Sequence, residues 1–258
     1  MPSKLGQNFL INKEVLKKIA DAADLKNGET VIEIGPGHGE LTAYLLESGA
    51  RVIAIEKDRE LIHQLKEKFK NKNFELIEGD ALKILPALNL GSCKLAGNIP
   101  YYITGKLLRV IGDLENKPKL IVLTIQKEVA ERIAAKPPKM NLLAASVQFW
   151  AEPKIIGLVG KKEFRPIPKV DSAIIKLIPK SEPINTESPE YLRGKKQYYD
   201  FIKILFKQPR KTIFNNLREK YEIEKTKNAL KNLNIDPQSR PQNLFIQTII
   251  KLSENLRN

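Results

Sequence analysis

Gly97-Asn98-Ile99-Pro100-Tyr101-Tyr102 follows a short apolar run, and its residue types suit one demanding reaction, transfer to the exocyclic amine of adenine. That nitrogen is a poor nucleophile because its lone pair is delocalised into the ring. If the Asn98 side-chain oxygen and a neighbouring main-chain carbonyl accept both amine hydrogens, a pyramidal nitrogen with an outward lone pair is favoured. Pro100 fixes φ and brings an acceptor without a donor. Tyr101 supplies a face on which a base can stack, worth roughly 1–3 kcal/mol, which compensates for removing the base from its helix or loop. In-line transfer then needs placement more than a strong general base. On these residues alone an Asn-Pro turn with core tyrosines stays open.

A second constellation lies upstream in Val31-Ile32-Glu33-Ile34-Gly35-Pro36-Gly37-His38-Gly39-Glu40. Gly35, Gly37 and Gly39 let the backbone turn sharply and approach a ligand closely. A dinucleotide site needs its third glycine three residues after the second, and position 40 is Glu. Glu33 suits a ligand carrying an amino acid moiety and a sulfonium better than a diphosphate. S-adenosylmethionine is therefore the preferred cofactor, with a nucleotide or a structural turn as alternatives. Glu56, 21 residues after Gly35, ends a second strand where an acid can accept ribose hydroxyls. Asp80 follows a third strand and could accept from the cofactor's adenine amine. Each acid alone reads as an exposed strand-end carboxylate. His38 is assigned no role and is expected to face solvent.

These residues need a frame that brings several strand ends together. Residues 30–34, 51–55, 73–77, 93–96 and 120–125 are short and rich in Val, Ile and Leu, as buried strands are. Between them, 40–48, 59–70, 106–114 and 128–134 show helical spacing. The alternation predicts a doubly wound α/β sheet. Residues 142–150, 154–159 and 172–178 are predicted as further strands. From 179 to 194 the composition turns to Pro, Ser, Glu and Asn, as in a linker. Beyond it, 198–206, 211–219, 224–233 and 242–255 are helical in spacing. The predicted domains are a catalytic domain over 1–180, a linker over 181–194, and a basic all-helical domain over 195–258.

The formal charge is +14, and residues 195–258 hold 14 Lys and Arg against 6 Asp and Glu. Such a surface attracts polyanions, with nucleic acid the leading partner; a solvated lysine-rich surface is the bland alternative. The single cysteine, Cys93, can form no internal disulfide, and two histidines with one cysteine cannot build an ordinary zinc site. No run of apolar residues is long enough to span a membrane, and the opening residues lack the apolar core of a signal peptide. A cytoplasmic monomer without metal is expected.

The chain resembles the KsgA-type family of small-subunit rRNA adenine N6-dimethyltransferases. Gly97-Asn98-Ile99-Pro100-Tyr101 carries the resemblance first. It extends to Lys4-Leu5-Gly6-Gln7-Asn8-Phe9-Leu10, to the segment 126–132, to Phe164-Arg165-Pro166-Ile167-Pro168-Lys169-Val170-Asp171-Ser172, and to Gln208-Pro209-Arg210-Lys211-Thr212. It implies a Rossmann-like class I methyltransferase sheet with a small C-terminal all-helical domain that helps dock RNA. It also implies dimethylation of two adjacent adenines in the hairpin near the 3′ end of small-subunit rRNA, on the immature small ribosomal subunit. Asn8, Leu10, Gly35, Glu56, Asp80 and Asn98 fall on its cofactor-contact positions. Asn98, Pro100 and Tyr101 would hold the adenine, with Phe164 as a second stacking face. Lys169, Arg210 and Lys211 are the candidate phosphate contacts. The family's Gly-(Ser/Thr)-Lys-x-Tyr-Gly run is absent between 136 and 146. The erythromycin-resistance methylases share Gly-Asn-Ile-Pro-Tyr, but usually carry Asn where this chain has Asp171. A non-catalytic RNA-binding assembly factor is the rival of another class.

Overall fold

The computed structural model describes residues 7–70, 72–180 and 189–257. Lys4, Leu5 and Gly6 of the opening motif, and residues 181–188 of the expected linker, lie outside the described residues. In chain order the elements are β1 Phe9–Leu10, α1 Lys13–Ala22, β2 Thr30–Ile34, α2 Glu40–Glu47, β3 Arg51–Glu56, α3 Arg59–Lys68 and β4 Phe74–Glu78. There follow α4 Ala81–Ile84, β5 Lys94–Asn98, α5 Thr104–Asp113, β6 Ile121–Gln126, α6 Lys127–Ile133, α7 Leu142–Gln148, β7 Ala151–Val159, β8 Phe164–Arg165 and β9 Ser172–Pro179. The last elements are α8 Pro189–Leu205, α9 Ile213–Leu217, α10 Ile223–Asn232 and α11 Ile246–Asn255.

Seven strands form one sheet in the order β4-β3-β2-β5-β6-β9-β7. β2 pairs in parallel with both β3 and β5, and β6 continues the parallel set before β9 runs antiparallel to it. The central strands are mostly apolar, with Val31, Val52, Leu95, Ile121, Val122 and Leu123 all at 0 % exposure. Strands covered on both faces need such runs, and alternation would leave polar groups in the core. β1 and β8 form a separate antiparallel pair, Phe9 with Arg165 and Leu10 with Phe164. The helix α1 has no counterpart among the predicted elements, although Asn12 caps it by accepting from the Glu14 and Val15 amides.

The chain divides into two compact units, Met1–Ala130 with Glu152–Pro179, and Glu131–Ala151 with Lys180–Asn258. The second unit is built on helices. Tyr198, Phe201 and Leu205 of α8 share a core with Leu217, Leu230, Ile249 and Leu252, and with Ala144 and Ala145 of α7. It therefore takes in residues 131–151, which the expected boundary at 180 placed in the first domain. The same segment corrects a secondary-structure expectation: 142–148 is helix α7, not strand. An apolar run of this length fits either state by periodicity. Asn141 decides it, accepting from the Ala144 amide at 3.0 Å, a capping role that the composition of the run conceals. No helix among the described residues is long and apolar enough to cross a membrane.

Asn141→Ala is expected to destabilise the second unit by about 1 kcal/mol, the usual worth of such a cap. Trp150 lies in that unit and is the chain's single tryptophan. A lowered urea midpoint in its fluorescence is the measurement; an unchanged midpoint would remove the cap from the stability of α7.

Candidate active site

A cleft opens at the carboxyl ends of β2 and β5. It is lined by Gln7 to Leu10, Leu16, Glu33, Gly35 to Gly37, Glu40, Leu41 and Asn98 to Tyr101. It encloses about 590 Å³ of space that is open to solvent. The sheet places it there because the chain moves outward in opposite directions from β2 and β5, leaving a crevice at the reversal. All its lining residues belong to the first unit.

Two glycines are explained by close approach. Gly37 has φ +62, and a Cβ there would sit 3.0 Å from ring atoms of Phe9. A Cβ on Gly97 would lie 2.7 Å from the Ile34 carbonyl oxygen. Any side chain at 97 would therefore push β5 away from the loop leaving β2. Phe9 in turn lies against His38, with ring centroids 4.5 Å apart. The exposed His38 contributes its carbonyl to Lys68 Nζ at 2.7 Å.

The acids divide by environment. Glu33 is buried beneath the glycine turn, and its Oε2 accepts from Thr42 Oγ1 at 2.6 Å. Burial pushes its carboxyl up to about 8, against the Thr42 hydrogen bond and with help from the charges of Glu40 and Glu56. Glu56 is also buried, and its Oε1 accepts from the Lys57 and Asp58 amides at 2.8 Å each, while Oε2 faces the Gly37 amide at 3.4 Å. Burial still holds this carboxyl above the ordinary value. Asp80 does not line the cleft. Its Oδ1 caps α4 at the Leu82 amide, 3.0 Å away, and its Oδ2 pairs with Lys57 Nζ at 3.3 Å.

Asn98 ends β5, and its Nδ2 donates to the Asn8 carbonyl at 2.9 Å. A carbonyl can only accept, so this bond settles which amide atom is nitrogen and leaves Oδ1 as the acceptor. The Pro100 carbonyl accepts from Ile103 N at 3.2 Å, which leaves it one further lone pair. Tyr101 is half-buried, and its phenol lies 2.6 Å from Ser172 Oγ. The residues just after β1 are anchored as well. Ile11 N donates to the Glu163 carbonyl at 2.9 Å, and Asn12 Nδ2 donates to Glu163 Oε2 at 2.6 Å.

Asn8, Leu10, Glu33, Gly35, Gly37, Asn98, Pro100 and Tyr101 thus come together at one cleft, with Glu56 against its glycine turn. Phe164 does not join them as an exposed ring. It is at 0 % exposure in the core with Leu10 and Leu16, so it has no free face for a base; its pairing with Leu10 in β1 is what buries it. Lys169 is exposed in the first unit, whereas Arg210 and Lys211 belong to the second. Lys211 pairs with Glu219 at 3.3 Å. Gln7, Phe9 and Ser172 stand inside motif runs of the sequence, which assign them no role. Ser172 gave no local signal, because its tyrosine partner is 71 residues away. Among the described residues no group of three His, Cys, Asp or Glu could hold a metal ion.

The model of the ribosomal RNA adenine dimethylase family matches residues 1–258. Ribosomal RNA small subunit methyltransferase A of Dehalococcoides mccartyi (strain CBDB1) is 42% identical over 257 residues, covering 96% of this chain and 86% of the relative. The protein of the same name from Clostridium botulinum (strain ATCC 19397 / Type A) is 40% identical, covering 97% and 92%. Among solved structures, a dimethyladenosine transferase from Plasmodium falciparum matches with a TM-score of 0.79 at 29% identity, over 95% of each chain. The 23S rRNA methyltransferase ErmE matches with a TM-score of 0.77 at 25% identity, over 97% of this chain and 100% of that one. These matches agree with a Rossmann-like class I methyltransferase sheet, and they span the helical unit as well as the sheet. The chain belongs to the ribosomal RNA adenine dimethylase family.

Proposed function

We propose that this protein uses S-adenosylmethionine to dimethylate N6 of two adjacent adenines in the hairpin near the 3′ end of small-subunit rRNA, acting on the immature small subunit as part of its biogenesis. The observation that carries the reading is the Asn98 amide. With Nδ2 held by the Asn8 carbonyl, Oδ1 is presented as an acceptor beside Pro100 and Tyr101. Asn98 Oδ1 and the Pro100 carbonyl would take the two amine hydrogens, and the Tyr101 ring would stack on the base. S-adenosylmethionine supplies the methyl group on a positively charged sulfur.

The residues present fit that cofactor. Glu33, Glu40 and Glu56 lie at or beside a glycine turn in a protein of formal charge +14, so a local acidic site suits a ligand carrying ammonium and sulfonium groups. Glu56 stands where a ribose would be held, and Asn8, Leu10, Gly35 and Gly37 line the cleft beside it. Asp80 keeps acceptor capacity for an adenine amine beside its bonds to the Leu82 amide and Lys57. Lys169 and Arg210, which make no ion pair among the described residues, are the better candidates for phosphate; Lys211 would first have to leave Glu219.

Transfer of labelled methyl groups to unmethylated small subunits, with mapping of the modified adenines, tests the reading. Methylation of large subunits alone would replace it with the erythromycin-resistance type, and absence of cofactor binding would replace it with a non-catalytic assembly factor. Asn98→Ala is expected to lower kcat by roughly 100-fold or more, the scale of lost placement, with cofactor affinity within a few-fold. Full activity in that variant would sink the mechanism.

Glu33 adds a pH dependence. Its raised carboxyl keeps a proton in the free protein near neutrality, and a cationic ligand favours the carboxylate. Binding is therefore expected to release up to one proton at pH 7, with affinity rising as pH approaches 8 and Glu33→Gln abolishing the rise. Calorimetry in buffers of different ionisation enthalpy counts the protons. In the free protein, the stability that protonated Glu33 contributes is complete below its unfolded value of 4.5 and lost as pH rises through about 8. Relative to Glu33→Gln, that loss runs at up to about 1.4 kcal/mol per pH unit.

For RNA, Lys169→Glu and Arg210→Glu should each weaken binding and reduce the slope of log affinity against log salt by about 1. An unchanged slope removes that residue from the phosphate contacts.

A further inference from the structure

Two aromatic side chains line the cleft, Phe9 and Tyr101, and they are held differently. Phe9 is wedged against Gly37 and His38. Tyr101 sits in a short turn that begins at Pro100, and the polar end of its ring reaches Ser172 Oγ at 2.6 Å. Ser172 is at 0 % exposure and is the first residue of β9, opposite Gln126 of β6. The residue before it is tied on both sides. The Asp171 carbonyl accepts from Lys127 N at 3.0 Å, and Asp171 Oδ1 accepts from Lys161 N at 2.9 Å. The serine hydroxyl therefore stands on sheet backbone whose approach is pinned by two further bonds.

We propose that Ser172 is a positioning residue for the target base: its hydroxyl pins the outer end of Tyr101 and so sets where the ring face stands relative to Asn98. The phenol oxygen lies on the axis of the ring. A bond to it leaves rotation about that axis to the walls of the cleft, but blocks the swing about χ1 that would carry the whole ring away. The backbone end of the ring is already fixed by the turn after Pro100, so the two ends together leave the ring one place. Burial and the nearby Asp171 charge both hold the phenol above its ordinary ionisation range, so it stays a neutral hydrogen-bonding group. This inference deepens the adenine-methylation reading and rests on it for the identity of the base.

The test is a double-mutant cycle on the full-length protein, with S-adenosylmethionine and unmethylated small subunits as substrates. S172A is expected to lower kcat roughly tenfold while leaving KM for the subunits and the cofactor Kd within twofold. Y101F keeps the ring face and removes the phenol; in that background S172A should add less than a twofold further loss. Effects that multiply would overturn the proposal, because Ser172 would then act through something other than Tyr101. Should S172A fail to fold, Ser172→Thr and Ser172→Val make the same comparison with one shape. A threonine variant more active than the valine variant supports the role, and equal activities overturn it. Tyrosine ring 13C NMR provides an arm independent of activity, with the Tyr101 signal assigned by its loss in Y101F. That signal should move or broaden in S172A, and an unchanged signal would overturn the positioning role. Failure of the wild type to methylate adenine would sink the functional reading instead, and the NMR comparison would still decide the role of Ser172.

Discussion

Between β2 and β5 two backbones approach so closely that the Ile34 carbonyl occupies the space a Cβ on Gly97 would need. The glycine turn after β2 and the Asn-Ile-Pro-Tyr turn after β5 are therefore neighbours, although about sixty residues of chain separate them. One turn supplies a loop with three positive-φ glycines, where a ligand can lie against backbone. The other presents an amide, a carbonyl and a ring. Both depend on the sheet reversing direction at this point, since parallel strands fed from the same side would have covered the crevice with a connection.

Most of the frame was legible because buried parallel strands write themselves as short Val, Ile and Leu runs. Residues 30–34 are β2 with the same bounds. Segment 142–150 misled because an apolar run shows burial without showing period, and the deciding group was Asn141, one residue outside it. In the site, Asn98 and Glu33 were legible because strand ends with unusual polar residues stand out against apolar runs. The partners that orient them were not. The Asn8 carbonyl is a main-chain atom with no sequence signature, and Ser172 ends a recognisable motif but shows no role until the fold carries it to Tyr101. Phe164 shows the opposite failure. Its motif was recognisable, but whether an aromatic faces a cleft or a core is decided by which strand pairs over it, here β1.

The electrostatics run against the bulk composition. A chain with a large excess of Lys and Arg concentrates Glu33, Glu40 and Glu56 around one turn. Burial raises the carboxyls of Glu33 and Glu56, which disfavours full negative charge at the turn. A basic exterior and an acidic turn coexist because solvent and salt confine the field of exposed Lys and Arg to about 10 Å at ~0.1 M ionic strength, while buried acids are screened much less.

The segment around β1 closes this cleft, and its flanking residues make bonds that span long stretches of chain: Asn98 to Asn8 over 90 residues, and Asn12 to Glu163 over 151. During synthesis the Phe9–Leu10 segment emerges early but has nothing to pair with until β8 has been made. A nascent chain can thus build β2, β3 and β4 from nearby sequence, while the cleft wall waits for β8. Such distant closures are slow relative to local ones. The cleft wall can therefore be complete only after Arg165 has been synthesised, however early the glycine turn forms.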